Sequence, residues 1–313
     1  MNQIYHHRQA ILVTGVHRSG TTWVGKMLTA NRHTAFISEP LNLWHRPGVM
    51  RVPVGHWYTY ICEDNEAEFL PALQETLDYR YHTWAEIKSL RSVKDGLRMW
   101  RDWNIFLKGK VLHQRPVLKD PFAIFSASWF VEKLGCAVVI VVRHPAAFTS
   151  SLIRLGWDFD FGHLLTQPLL MRNWLEPYRA EMETAHRFPD DIVMQGSLLW
   201  RIIYQVVGCL KERYPQFIVM RHEDLSIDPL ARYRELYNNL GLDYSPQVQQ
   251  AILNSSNPEN PGEVSRRAVH SVRLDSRANL ANWKRRLTVE EIDRIRSLTT
   301  DVSAHYYTDQ DWE

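Results

Sequence analysis

A chain of 313 residues, 45% of them hydrophobic, can bury a large core. Its 37 Lys and Arg nearly balance 35 Asp and Glu, which excludes a protein whose main partner is duplex nucleic acid, since such a protein carries a strongly basic face. Cys62, Cys136 and Cys209 show none of the short Cys/His spacings of a zinc site. No metal is expected, and a reduced, cytoplasmic setting is.

The start, MNQIYHHRQAILVTG, lacks the layout of a secretory leader, and no apolar run reaches membrane-spanning length, so no transmembrane segment is expected. Residues 10–14 read as a strand buried on both faces, followed by helical spacing over 21–30. A short strand-like run at 35–37 precedes Glu39. From 40 to 115 the pattern weakens and aromatics crowd in, among them Trp44, Trp57, Tyr58, Tyr79, Trp84, Trp100 and Trp103. This stretch reads as a mainly helical insertion, most of its rings packed inward and some bordering an acceptor pocket.

A second buried strand is expected at 137–142, with Pro145 opening a helix over 145–155. A helical run at 196–214 precedes a third strand at 217–220, residues 254–263 read as a surface loop, and Thr288 with Glu291 forms a capping box. The alternation predicts one α/β domain over 1–313: a three-layer, P-loop-type arrangement with a central parallel sheet between crossover helices. Ligands of such sheets bind outside the strands' carboxyl ends, here the loops after Thr14, Val142 and Met220.

The string ILVTGVHRSGTTWVGKML carries the chemistry. Its Gly15, four residues, Gly20, Thr21, Thr22 spacing is that of a phosphate loop entering a helix, whose first-turn amides face the loop's mouth. Thr21 stands where an ATP- or GTP-hydrolysing loop has its lysine. A nucleoside triphosphate needs that lysine and magnesium, which argues against a kinase or NTPase. A donor with less charge can be held by amides, two hydroxyls and one cation, and Arg18 is placed to be that cation.

At Arg18-Ser19-Gly20-Thr21-Thr22-Trp23 the chain resembles the sulfotransferases that use 3'-phosphoadenosine 5'-phosphosulfate (PAPS), and the resemblance continues at spaced positions through most of the chain. It implies that this loop holds the 5' end of PAPS, and that Arg143 with Ser151, eight residues on in VVIVVRHPAAFTSSL, holds the 3'-phosphate. In FIVMRHEDLSIDP, His222 replaces the family's adenine-facing tyrosine, while Glu223 and Asp224 read as structural. In SRANLANWKRRLT, Arg277 takes roughly the place of a family lysine that closes over the 3'-phosphate, with Arg273, Arg266 and Arg267 as competitors.

The histidine base of many cytosolic members is missing, because the position two after Lys119 is Pro121. The motif style is nearer the bacterial and protein-tyrosine types, which use a glutamate. Glu39, 21 residues after Arg18, is the candidate base and Asp120 the runner-up, with Lys119 and Arg18 stabilising charge and His17 placed near the acceptor. The implied reaction moves a sulfuryl group to a hydroxyl of a small molecule or glycan, releasing 3'-phosphoadenosine 5'-phosphate (PAP), with no metal. A non-catalytic nucleotide-binding module is the remaining alternative, against which Arg18, Glu39, Arg143 and Ser151 argue together. Acceptor identity and oligomeric state are left open.

Overall fold

The computed structural model describes residues 9–263 and 272–313; Arg266 and Arg267 lie outside them. In chain order the first half runs β1 (Ile11–Thr14), α1 (Thr21–Leu28), β2 (Thr34–Ser38), α2 (Glu66–Leu77), α3 (Thr83–Ser89), α4 (Val93–Val111), β3 (Arg115–Lys119), α5 (Ala127–Leu134), β4 (Ala137–Val142) and α6 (Pro145–Leu155). The second half runs α7 (Gly162–Leu165), α8 (Pro168–Leu170), α9 (Arg179–Arg187), α10 (Ile192–Arg213), β5 (Ile218–Arg221), α11 (His222–Ile227), α12 (Pro229–Asn239), α13 (Pro246–Ser256), α14 (Asn282–Arg286) and α15 (Val289–Ser303).

The strands form one parallel sheet in the order β2-β3-β1-β4-β5. β1 and β4 are runs of β-branched and aliphatic residues buried on both faces, as a sheet covered by helices on each side requires. β3 is not legible in the sequence, because Arg115, Pro116 and Lys119 interrupt its apolar run; it is nonetheless central, between β2 and β1.

Successive strand residues feed opposite layers. Ile11 and Val13 pack with Val24 and Leu28 of α1 and with Tyr233 and Tyr237 of α12. Leu12 and Ile140 pack on the other face with Phe125, Phe130 and the α10 residues Trp200 and Ile203. The three-layer α/β expectation holds.

The register sets Val13 and Ser38 beside Lys119, and Val142 beside Arg221, so the carboxyl ends are nearly level. Connections diverge to either side of β1, which opens a crevice where its loop emerges.

Several sequence expectations shift. α10 begins earlier than predicted, at Ile192, because Asp191 caps it by accepting from Met194 N at 3.0 Å. It is also long and apolar enough to cross a membrane, contrary to the expectation that no such run exists, but 67% of its apolar window is buried inside the protein. The loop expected from 254 starts only after α13 ends at Ser256. The capping box forms: Thr288 Oγ1 accepts from Glu291 N at 3.2 Å, and a Glu291 carboxylate oxygen accepts from Thr288 N at 2.8 Å. Tyr58, Tyr60 and Tyr79 are buried, whereas Trp44, Trp84 and Trp100 face solvent.

Candidate functional site

The loop after β1 is built by two glycines and held by two tyrosines. Gly15 (φ 142°) and Gly20 (φ 103°) lie in backbone regions that side chains disfavour. A Cβ on Gly15 would collide with the Val141 carbonyl oxygen, and one on Gly20 would lie 2.7 Å from His222 Nδ1. Tyr204 donates to Val141 O at 2.8 Å and accepts from Val16 N at 3.4 Å; Tyr58 OH accepts from His17 N at 3.2 Å. Gly20, at the start of α1, has no side chain to cap it, and no acid sits in the helix's first turn. The first-turn amides and the positive end of the helix dipole therefore face the loop's mouth.

Around that mouth is a cavity of about 120 Å³ lined by Arg18, Gly20, Thr21, Thr22, Trp23, Arg143, Ser151 and His222, together with Arg154, Glu263 and Arg286. Arg143, directly after β4, donates from NH1 to Arg18 O at 2.8 Å, and Ser151 Oγ on α6 accepts from Arg18 Nε at 3.2 Å. Burial, then the neighbouring Arg143 and Arg154, pull the Arg18 guanidinium down to about 10. Arg143 is lowered mainly by burial, with Arg286 and Arg154 adding to the effect and Glu223 opposing it. Arginines crowded enough to depress one another form a site charged for an anion. Glu263 supplies the counter-charge: it pairs with Arg154 at 3.4 Å and with Arg286.

Arg143 Nε and His222 Nδ1, from residues lining this cavity, and Ser19 Oγ in the adjoining loop are buried and lack a hydrogen-bond partner among the described residues. Buried polar atoms are ordinarily satisfied, so these match a polar, anionic ligand. His222 is held neutral, its pKa lowered to about 3 by burial and by Arg143. It sits edge-on to Trp23, with ring centroids 5.7 Å apart, and Trp23 Nε1 donates to Ser255 Oγ at 2.9 Å.

On the other side of the β1 loop, at the ends of β2 and β3, Glu39 and Lys119 form an ion pair. Glu39 N donates to Lys119 O at 2.8 Å, and Glu39 Oε2 accepts from Asn42 Nδ2 at 2.6 Å. Glu39 (φ 48°) and Arg18 (φ 66°) are both in the left-handed region, uncommon for non-glycine residues. Such backbone strain persists where the surroundings over-determine it.

Four candidates take on different parts. Asp120, the runner-up base, is fully buried, and both its oxygens accept from backbone amides: Leu41 N at 2.6 Å and Phe122 N at 3.0 Å. Burial first, then Glu39, raises it to about 7, and its role is to brace the turn after β3. His17 is enclosed by Tyr58, Phe122 and Phe148 and shares a 2.6 Å hydrogen bond with Tyr58 OH, anchoring the loop. Arg277 is not at the cavity: its guanidinium donates to Ile227 O at 3.2 and 2.7 Å, covering the C-terminal end of α11. Arg273 is exposed and does not line the cavity either.

The profile of the Sulfotransferase family matches residues 10–246, three quarters of the chain, and so takes in the β1 loop, Glu39, Arg143, Ser151 and His222. The chain belongs to the sulfotransferase family.

Among curated members, this sulfotransferase is 34% identical over 206 residues to carbohydrate sulfotransferase 2 of Mus musculus, covering 58% of this chain and 34% of that protein. It is 31% identical over 175 residues to carbohydrate sulfotransferase 1 of Danio rerio, covering 54% and 37% respectively. The chain thus spans little more than a third of the length of these relatives. Of solved structures, the sulfotransferase domain from the curacin biosynthetic pathway aligns with TM-score 0.46 and 15% identity, over 94% of this chain and 98% of that one. The expected cytoplasmic location is overturned by the curated relatives, since carbohydrate sulfotransferases are Golgi membrane enzymes.

The sequence reading of this family member missed Arg154, Arg286 and Glu263. Arg154 had a signal: three residues after Ser151 on α6, it shares that helix face. Arg286 and Glu263 had none, because α14 and the segment after α13 reach the cavity only through tertiary packing.

Proposed function

We propose that this chain transfers a sulfuryl group from PAPS to a hydroxyl of a carbohydrate, releasing PAP and a sulfate ester. The observation that carries the reading is the arginine-lined cavity at the mouth of a phosphate loop that has Thr21 in place of lysine. A site with several guanidinium groups and no lysine in the loop suits one nucleotide bearing separate 3' and 5' anions better than a magnesium triphosphate. The carbohydrate acceptor rests on the names of the curated relatives.

In this reading the amides of residues 20–22 and the hydroxyls of Thr21 and Thr22 hold the 5' phosphosulfate end. Arg143 and Ser151, with Arg154 and Arg286, hold the 3'-phosphate, and His222 and Trp23 border the base. PAPS supplies the sulfuryl group. Glu39 takes the proton of the attacking hydroxyl as the acceptor oxygen bonds to sulfur and the bond from sulfur to the 5'-phosphate oxygen breaks. Lys119 holds Glu39 in place through their ion pair, and Lys119 with Arg18 offsets negative charge building on the leaving oxygen. Part of the segment 40–115 borders the acceptor side, beginning with Asn42, which donates to Glu39 Oε2.

Calorimetry with PAP and with ATP plus magnesium tests the donor. PAP is expected to bind more tightly, and tighter binding of ATP would overturn the proposal. Incubation with labelled PAPS and a panel of sugars and phenols tests the acceptor, with label expected on sugar hydroxyls.

A further inference from the structure

The outward face of α4 has no part in the site described above, yet it is built for contact. Its inward face is marked by the buried residues Asp102, Phe106 and Gly109. At 100° per residue, Val93, Leu97, Trp100, Leu107 and Val111 fall on the opposite side within about 80° of arc. These five side chains are 44 to 84% exposed. Asn104, whose Nδ2 donates to Trp100 O at 2.7 Å, is the one polar residue within that arc; scattered apolar residues are normal on a surface, whereas five apolar side chains on one face of a helix of about 28 Å mark an interaction face.

The charges beside the stripe define the partner. Lys94, Arg98, Arg101 and Lys108 line one flank and Lys110 the other, all exposed. Residues 83–112 hold seven Lys and Arg against three acids. Of those acids, Glu86 is fully buried against Arg46, Asp95 pairs with Arg46 and Arg98, and Asp102 pairs with Arg101. The charge presented outward is therefore positive. On the preceding helix, α3, Trp84 and Ile87 are also exposed, beside the exposed Lys88.

We infer that α4 lies flat on an anionic phospholipid bilayer, its Val/Leu/Trp stripe in the interface and its basic flanks on lipid phosphates. An apolar face with a Trp and with Lys and Arg along its edges is the pattern of an interfacial helix, and its flanking charges favour lying in the surface plane over spanning. A second copy of this chain is a poor occupant, because face-to-face packing would oppose two basic margins. The inference stands apart from the proposed activity. It does bear on orientation: Arg46, seven residues after Glu39, pairs with Glu86 of α3 and donates to Asp95 O of α4 at 3.1 Å, tying the segment after the candidate base to the membrane-facing helices.

The test is co-sedimentation of the full chain with phosphatidylcholine vesicles, with and without phosphatidylserine, across a salt series. Binding to the phosphatidylserine vesicles is expected, weakening with salt. The Leu97→Glu/Trp100→Glu variant should lose at least about tenfold in affinity while melting at the same temperature. Lys94→Glu/Lys108→Glu should abolish the preference for anionic lipid, and it decides the matter if the first variant is unstable. Failure to bind anionic vesicles at low salt, or undiminished binding by both variants, would overturn the inference. So would a concentration-dependent dimer that Leu97→Glu/Trp100→Glu dissolves, which would give the face to a second copy.

Discussion

Arg143 has two jobs that a comparison of two nucleotides can separate. Its NH1 fixes the phosphate loop through Arg18 O, while its Nε is buried with no partner among the described residues. If that second group meets the 3'-phosphate, Arg143→Ala removes a charge-assisted hydrogen bond worth about 2 kcal/mol, roughly a thirtyfold loss in PAP affinity. Binding of the nucleotide lacking the 3'-phosphate should weaken much less, and equal losses in calorimetry would refute the assignment. Glu39→Gln keeps the shape and the Asn42 contact but removes the proton acceptor. Turnover is expected to fall about a hundredfold or more with PAP affinity nearly unchanged; full activity would move the base elsewhere. Asp120→Asn separates bracing from catalysis. An amide nitrogen replaces an oxygen that accepts from Leu41 N or Phe122 N, so the melting temperature should fall.

At the scale of elements, α10 is the support against which the loop is set. Trp200 is fully buried and its Nε1 donates to Arg143 O at 2.7 Å; one turn on, Tyr204 joins Val16 N to Val141 O. Trp200→Ala should cost about 3–5 kcal/mol in urea denaturation, from the cavity it leaves and the carbonyl it abandons. Tyr204→Phe keeps the ring and loses only the bridge between β4 and the loop. Its effect on nucleotide affinity should therefore exceed its effect on stability. The pattern from 196 to 214 revealed a core helix but not this duty, because the partners of Trp200 and Tyr204 are backbone groups more than 50 residues away.

For the whole molecule, acid stability follows from three histidines kept neutral. His17, His144 and His222 are each lowered to about 3, chiefly by burial. His144 stacks on Trp283 with Tyr307 and Trp312 edge-on, and both its ring nitrogens lack partners among the described residues. The unfolded imidazoles take up protons near pH 6.5 that the native ones refuse until about pH 3. Stability is thus complete above pH 6.5 and falls as pH drops through that window, by about 1.4 kcal/mol per unit for each histidine. Asp120 and Glu223, both raised by burial, bind protons more readily when folded and offset part of this slope. Urea midpoints measured from pH 8 to pH 5 should decline. His144→Phe, which preserves the ring packing, should make the decline shallower.

What could be read without coordinates was what lies close together in the chain. The strand, the two glycines, Arg18 and the helix start are contiguous, and their backbone geometry is local, so the anion site and the missing lysine are visible in eighteen residues. Arg143 and Ser151 are separated by one strand end and two helical turns, which local geometry also brings together. Tertiary structure alone decided which distant groups complete the site. Arg286 and Glu263 meet Arg154 from segments more than a hundred residues away, Arg277 turns to a helix end, and Asp120 is enclosed by amides. Likewise, whether Trp84, Trp100 or Trp103 faces the core or the solvent depends on which side of α3 or α4 the neighbouring elements cover. Side-chain spacing gives each helix its faces, but only packing chooses the one that is buried.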